Sequence, residues 1–244
     1  MLKRTLAVVA GGVAVAGLWG VGPAAAADGA FPAVDRPAAY MVFPKIVVDQ
    51  AAKLDTMIQI SNADGALGSG CQSCPPIWVH CFYVKEISSA CRGENFWFRM
   101  TPGQPVGWLA SEGTDVWSAG DPVPPVQLVD GKFLGELKCY VSNEDGTPDY
   151  QNALVGAATT FQYDAVGQIL DTRSYNGIGF RALNASAATD LTLVLSDGPG
   201  GEYDHCSLQL GLNHRFDVKP RADLSDNSSL TTSITLVPCS DSDW

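Results

Sequence analysis

Ile77-Trp78-Val79-His80-Cys81-Phe82-Tyr83-Val84 is the densest run of β-branched and aromatic residues in the chain, the composition of a strand packed on both faces. With Cys81 facing the core beside Ile77 and Val79, alternation puts Trp78, His80 and Phe82 on the opposite face. Cys71, Cys74 and Cys81 lie within eleven residues of one another, together with His80, one of the three histidines. A metal or redox site is therefore sought here first.

The compartment decides how those cysteines are read. Met1-Leu2-Lys3-Arg4 is a short basic segment, Leu6 to Val21 is apolar, and Ala24-Ala25-Ala26-Ala27 supplies small residues for cleavage. This is the pattern of a secretory signal peptide over residues 1–27, cut before Asp28. Glycines dilute the apolar run and no basic flank stops it, which disfavours a membrane anchor. Export places all seven cysteines where disulfides form. An odd count leaves one thiol free or paired with another chain.

Without Lys3 and Arg4 the chain carries 13 basic residues against 26 acidic ones, a net charge of −13. Such a surface is repelled by phosphate backbones and anionic lipid, so nucleic acid and membranes are poor partners. About 217 residues remain after residue 27, enough for one large domain.

Outward from the central run, Lys45–Asp49, Thr56–Ser61, Asn95–Thr101 and Val106–Ala110 are predicted strands. In Phe133–Ser142, Leu137, Cys139 and Val141 alternate with Glu136, Lys138 and Tyr140, a half-buried strand. Ala153–Tyr163, Gly177–Leu183, Leu191–Ser196, Cys206–Leu212 and Leu230–Val237 are further candidates, and no segment keeps a helical apolar period over three turns. About ten short strands separated by turn residues predict an all-β antiparallel sandwich, Ig-like or fibronectin-like. Residues 28–40, rich in Ala and Pro, are expected to be a tether, and residues 41–244 one elaborated domain with a weighed sub-boundary near 165.

Several phrases carry a resemblance: Val42-Phe43-Pro44-Lys45-Ile46-Val47, Asp55-Thr56-Met57-Ile58-Gln59-Ile60-Ser61-Asn62, Val79-His80-Cys81-Phe82-Tyr83-Val84, Gly135-Glu136-Leu137-Lys138-Cys139, Leu212-Asn213-His214-Arg215-Phe216-Asp217 and Thr235-Leu236-Val237-Pro238-Cys239-Ser240. Across residues 40–240 the chain resembles a family of uncharacterised secreted bacterial proteins built from Ig-like or fibronectin-like modules. The resemblance implies fold and compartment and no activity. It also implies that the chain continues beyond Pro238-Cys239, where a further segment would hold the odd cysteine's partner.

Cys71-Gln72-Ser73-Cys74 is a CxxC motif. Covalent haem needs His after the second cysteine, where Pro75 stands. A thioredoxin-type pair needs a strand-to-helix turn that Pro75-Pro76 does not supply. Zinc held by Cys71, Cys74, His80 and Cys81 would need two adjacent strand residues to face one ion. Disulfides are therefore the expectation, and no cofactor is. Cys71 pairs with Cys74 or each pairs with a strand cysteine. Cys81 pairs with Cys139, 58 residues on and loosely as in immunoglobulin domains, or with Cys91 across a hairpin. The immunoglobulin match lacks a Tyr two residues before Cys139, where Leu137 stands. Cys206 with Cys239 remains by elimination.

No serine elbow is present, and His205 beside Cys206 diverges from it. The acidic stretches Asn143-Glu144-Asp145 to Asp149 and Asp223 to Asn227 lack EF-hand spacing, leaving calcium a minor reading beside turn chemistry. No catalytic or metal residue is assigned. The expectation is an extracellular interaction or structural module whose partner is a protein or a polysaccharide. The carbohydrate-binding alternative uses Trp78, Phe82 and Trp117. The third reading is a hydrolase whose two carboxylates the sequence does not locate. Trp97 and Trp108 are the other tryptophans whose exposure matters.

Overall fold

Alternating burial builds the strands. In the computed structural model, which describes residues 32–63, 75–85, 93–114, 122–183, 193–196, 201–206 and 242–243, Ile77, Val79, Cys81 and Tyr83 are buried while Trp78, His80 and Phe82 are half-buried. The strands are β1 Tyr40–Asp49, β2 Leu54–Asn62, β3 Ile77–Lys85, β4 Gly93–Met100, β5 Pro105–Leu109 and β6 Lys132–Ser142. They continue with β7 Leu154–Tyr163, β8 Ile169–Asn176, β9 Ile178–Phe180, β10 Leu193–Val194 and β11 Ser242–Asp243. Every paired strand runs antiparallel to its neighbour, and no helix occurs among the described residues. The expected signal peptide lies outside them, as do the predicted strand Leu230–Val237 and all of Cys206–Leu212 after Cys206.

The main sheet runs β4-β3-β6-β1-β2-β7-β8, with β5 paired to β2 and β9 to β1. It is one hydrogen-bonded path that curls on itself as a half-barrel. The bend lies between β1 and β2, which pair only at Asp49↔Leu54. Beyond that point β1 follows β6 and β9, while β2 follows β7 and β5. The two arms close over one core, where Val79, Phe98 and Leu137 meet Ile58, Ile60 and Trp108. Trp108 is buried and donates its indole N–H to the Tyr83 hydroxyl at 2.6 Å.

Where β1 leaves β2, two side-chain hydroxyls take the place of a neighbouring strand. Val47 donates its N–H to Thr56 Oγ1 at 3.0 Å, and Thr56 Oγ1 donates back to the Val47 carbonyl at 2.9 Å. Two residues earlier, Lys45 donates its N–H to the Tyr175 hydroxyl at 3.2 Å, and that hydroxyl donates to the Lys45 carbonyl at 2.6 Å. Each hydroxyl thus satisfies one donor and one acceptor that the divergence would otherwise leave bare. Pro44 fits in β1 because the register with β6 shifts between Phe43 and Ile46, a bulge that needs no ladder donor from it.

Residues 33–40, which composition assigned to a tether, are packed. Ala33 exchanges backbone hydrogen bonds with Gly179, Ala38 pairs with Leu154, and Ala38, Ala39 and Tyr40 are buried. Small alanines suit this crowded approach: a Cβ on Gly179 would stand 2.7 Å from the Ala38 side chain. The stretch near residue 165 is the turn of the β7–β8 hairpin, closed by the Asp164 carboxylate on the Val166 and Gln168 N–H groups and by Gly167 at φ +85°.

One disulfide joins two neighbouring strands. Cys81 is bonded to Cys139, its direct register partner on β6, with Cα atoms 4.1 Å apart. That separation is of a non-hydrogen-bonded antiparallel pair. It settles the choice against Cys91, and it also departs from the immunoglobulin arrangement, in which the bridge joins facing sheets. Cys206 is disulfide-bonded as well, to a cysteine outside the described residues, where Cys71, Cys74, Cys91 and Cys239 all lie.

Candidate functional site

The outer face of β3, β4 and β6 gathers the aromatic residues that the core does not take. In the antiparallel register His80 stands between Trp97 on β4 and Tyr140 on β6, Trp78 between Arg99 and Ser142, and Phe82 between Asn95 and Lys138. The rings touch. His80 lies 4.3 Å from Phe82 between centroids and edge-on to Trp97 at 5.5 Å, and Phe82 stacks on Tyr140 at 6.0 Å.

Among the described residues this face is covered from one side. Toward β1 a second cluster of Tyr40, Val42, Tyr140, Phe180, Leu195 and Tyr203 closes over it, with Phe82 packed at its margin. Segment 201–206 is held there by buried carboxylates. Glu202 accepts the Val194 N–H at 2.9 Å and the Tyr150 hydroxyl at 3.3 Å, and Asp204 accepts the Arg181 N–H at 2.8 Å. Toward β4 the face opens, and Trp97 is 41% exposed. Trp78 and Phe82, expected on an open stripe, are half-buried, and Trp117 lies outside the described residues.

His80 is a structural hinge-pin of this face. The Tyr140 hydroxyl donates its single proton to the Gly146 carbonyl at 2.8 Å, so the 2.9 Å contact with His80 Nδ1 makes that nitrogen the donor. Nδ1 thus carries a proton, and Nε2 is buried with no hydrogen-bond partner among the described residues. Burial holds its pKa down at about 4, because a charged ring would lose its hydration. The same burial raises Tyr140 to about 12. Both shifts carry these groups away from neutrality. Sequence alternation sets Tyr140 opposite Leu137, Cys139 and Val141 on its own strand; the register adds its place on this face, beside His80, and its bond to the 143–147 turn.

His80 and Cys81 point to opposite faces, as strand geometry requires, and Cys81 is oxidised. This removes both from the zinc set considered with Cys71 and Cys74, which lie outside the described residues. Among the described residues no group of three or more His, Cys, Asp and Glu is placed to hold a metal. The acidic stretch 143–149 folds as a turn: Asp145 accepts the Thr147 N–H at 2.9 Å and its hydroxyl at 2.6 Å. Asp223 to Asn227 lies outside the described residues. A separate groove of about 860 Å³ opens where β1 and β2 diverge, floored by Pro44, Val47, Leu54 and Leu134 and rimmed by Lys45 and Arg173.

No family model matches the chain, and no curated protein matches it. A solved structure from Thermotoga maritima, described as Thermotoga maritima 1070, is similar over 59% of this chain and 95% of that chain, at 9% identity and a TM-score of 0.35. So distant a likeness carries no argument.

Proposed function

We propose that the chain is an exported, non-catalytic interaction module of β-sandwich type that binds through the open half of its β3–β4 aromatic face. The observation that carries this reading is Trp97, 41% exposed and set edge-on against His80 with Phe82 behind it. A large ring held rigid by its neighbours offers contact area at little ordering cost. The Cys81–Cys139 disulfide suits an oxidising compartment, and no described helix is long and apolar enough to cross a membrane. The strong negative charge directs the partner away from phosphate-rich polymers.

The partner is an extracellular protein or polysaccharide. Carbohydrate is the second reading, favoured by the same indole, whose exposed flank suits stacking on the apolar face of a sugar ring. A photo-crosslinking amino acid placed at Trp97, with an equivalent at the exposed Val129 as control, tests the surface in the native culture medium. Cross-linked species specific to position 97 are expected. Equal labelling at both positions would remove the assignment. A polysaccharide pull-down weakened about tenfold or more by Trp97→Ala, with the far-ultraviolet spectrum unchanged, would select the carbohydrate reading.

A further inference from the structure

β8 ends the sheet order with nothing beyond it among the described residues. It is eight residues long, has no proline or lysine, and is exposed along most of its length. Edge strands are commonly blunted by shortness, proline, bulges or charged side chains, lysine above all. This one has a register shift only at its start, between Gln162 and Tyr163 of β7, two charges that neutralise each other, and Ile169 at 55% and Leu170 at 65% exposure. The phase of its backbone is set by Gly177, whose N–H donates to the Gly156 carbonyl at 2.9 Å. With Ala157 opposite Asn176 and Gln162 opposite Asp171, alternate residues Asp171, Arg173 and Tyr175 turn their backbone groups toward β7. Thr172 and Ser174 turn theirs outward.

We propose that β8 is a self-association edge, pairing antiparallel with β8 of a second copy of this chain about a two-fold axis at Thr172. The charge pattern selects both partner and register. Asp171 and Arg173 lie on one face of the strand, bridged at 2.9 Å. A two-fold centred on Asp171 or on Arg173 sets that residue against itself, like charge on like. Centred on Thr172, it sets Asp171 against the second copy's Arg173 and Arg173 against the second copy's Asp171. Two intrastrand pairs then become a ladder of four alternating charges, and the outward amides of Thr172 meet each other. The contact is isologous and closes at two copies, and it joins the two sheets edge to edge without using the β3–β4 face.

Charge reversal tests this with the full chain. Sedimentation velocity of the wild type should show a dimer that dissociates on dilution. Arg173→Asp should weaken self-association about tenfold or more, as should Asp171→Arg, since each places like charges directly opposite. Mixed together, these two variants should form a heterodimer, because each then faces the opposite charge at both positions. The double reversal Asp171→Arg/Arg173→Asp should recover wild-type association. Both side chains are exposed, and circular dichroism of each variant confirms the fold. A wild type that stays monomeric, a dimer indifferent to either single reversal, or single variants that fail to associate when mixed would each overturn the proposal.

Discussion

At the scale of single residues, the most informative positions are the two hydroxyls at the bend. Thr56 reads in sequence as an ordinary strand threonine and Tyr175 as an aromatic in a polar run, so neither signalled its role. Only the divergence of β1 from β2, a long-range event, gives Val47 and Lys45 bare backbone groups to satisfy. Thr56→Val keeps shape and β propensity but leaves a part-buried N–H and carbonyl of Val47 unpaired, at a cost of about 1–3 kcal/mol. Tyr175→Phe should cost about 1–3 kcal/mol for the same reason. Thr159→Val, which loses only an exposed hydroxyl contact with Ser174, should stay within about 0.5 kcal/mol. Urea unfolding of the three variants measures this, and equal losses at Thr56 and Thr159 would refute the role of the bend. The candidate site was half legible at this scale. Alternation names Trp78, His80 and Phe82 as one face, but which of them stays open depends on what the distant segments 178–182, 193–196 and 201–206 cover.

At the scale of elements, strands with one apolar face declared themselves and those without did not. β3 and β6 alternate clearly and were legible with their faces. β8, Ile-Leu-Asp-Thr-Arg-Ser-Tyr-Asn, has almost no buried face, and its burial record explains why no alternation marked it. β1 begins five residues before the predicted Lys45, because Ala38 to Tyr40 are buried by tertiary contact rather than by pattern. Pairing of strands is equally non-local. Sequence leaves Cys139 and Cys91 as equal partners for Cys81, and the β3–β6 register decides between them. The bridge closes a 58-residue separation, and its removal by Cys81→Ala/Cys139→Ala should lower stability by about 2–4 kcal/mol. Guanidinium midpoints of the double variant, set beside the wild type with and without reductant, should show that loss. An unchanged midpoint would contradict it.

For the molecule as a whole, pH acts on stability through groups of opposite sign. His80 has a folded pKa of about 4 against an ordinary value of 6.5. Between those values the unfolded chain takes up a proton that the folded chain refuses, so this group lowers stability as pH falls from 6.5 toward 4 and is silent above 6.5. The partly exposed ring makes the effect about 1 kcal/mol at pH 5. Asp55, Asp149 and Asp204 have carboxyls raised by burial and act in reverse, since the folded chain holds their protons more tightly. The difference between wild type and His80→Gln isolates the histidine: thermal melts should converge toward pH 5 and separate at pH 7. A difference constant with pH would mean that the ring is not held neutral by the fold. The position of the disulfide has one more consequence, a mechanical one. A chain pulled by its two ends transmits tension through the sulfur bridge from Cys81 to Cys139, so everything between them is excluded from the load path. Trp97 and the two strands β4 and β5 lie inside that protected loop. Tension applied at the two ends would therefore strain the outer strands while the exposed indole stayed on unloaded chain.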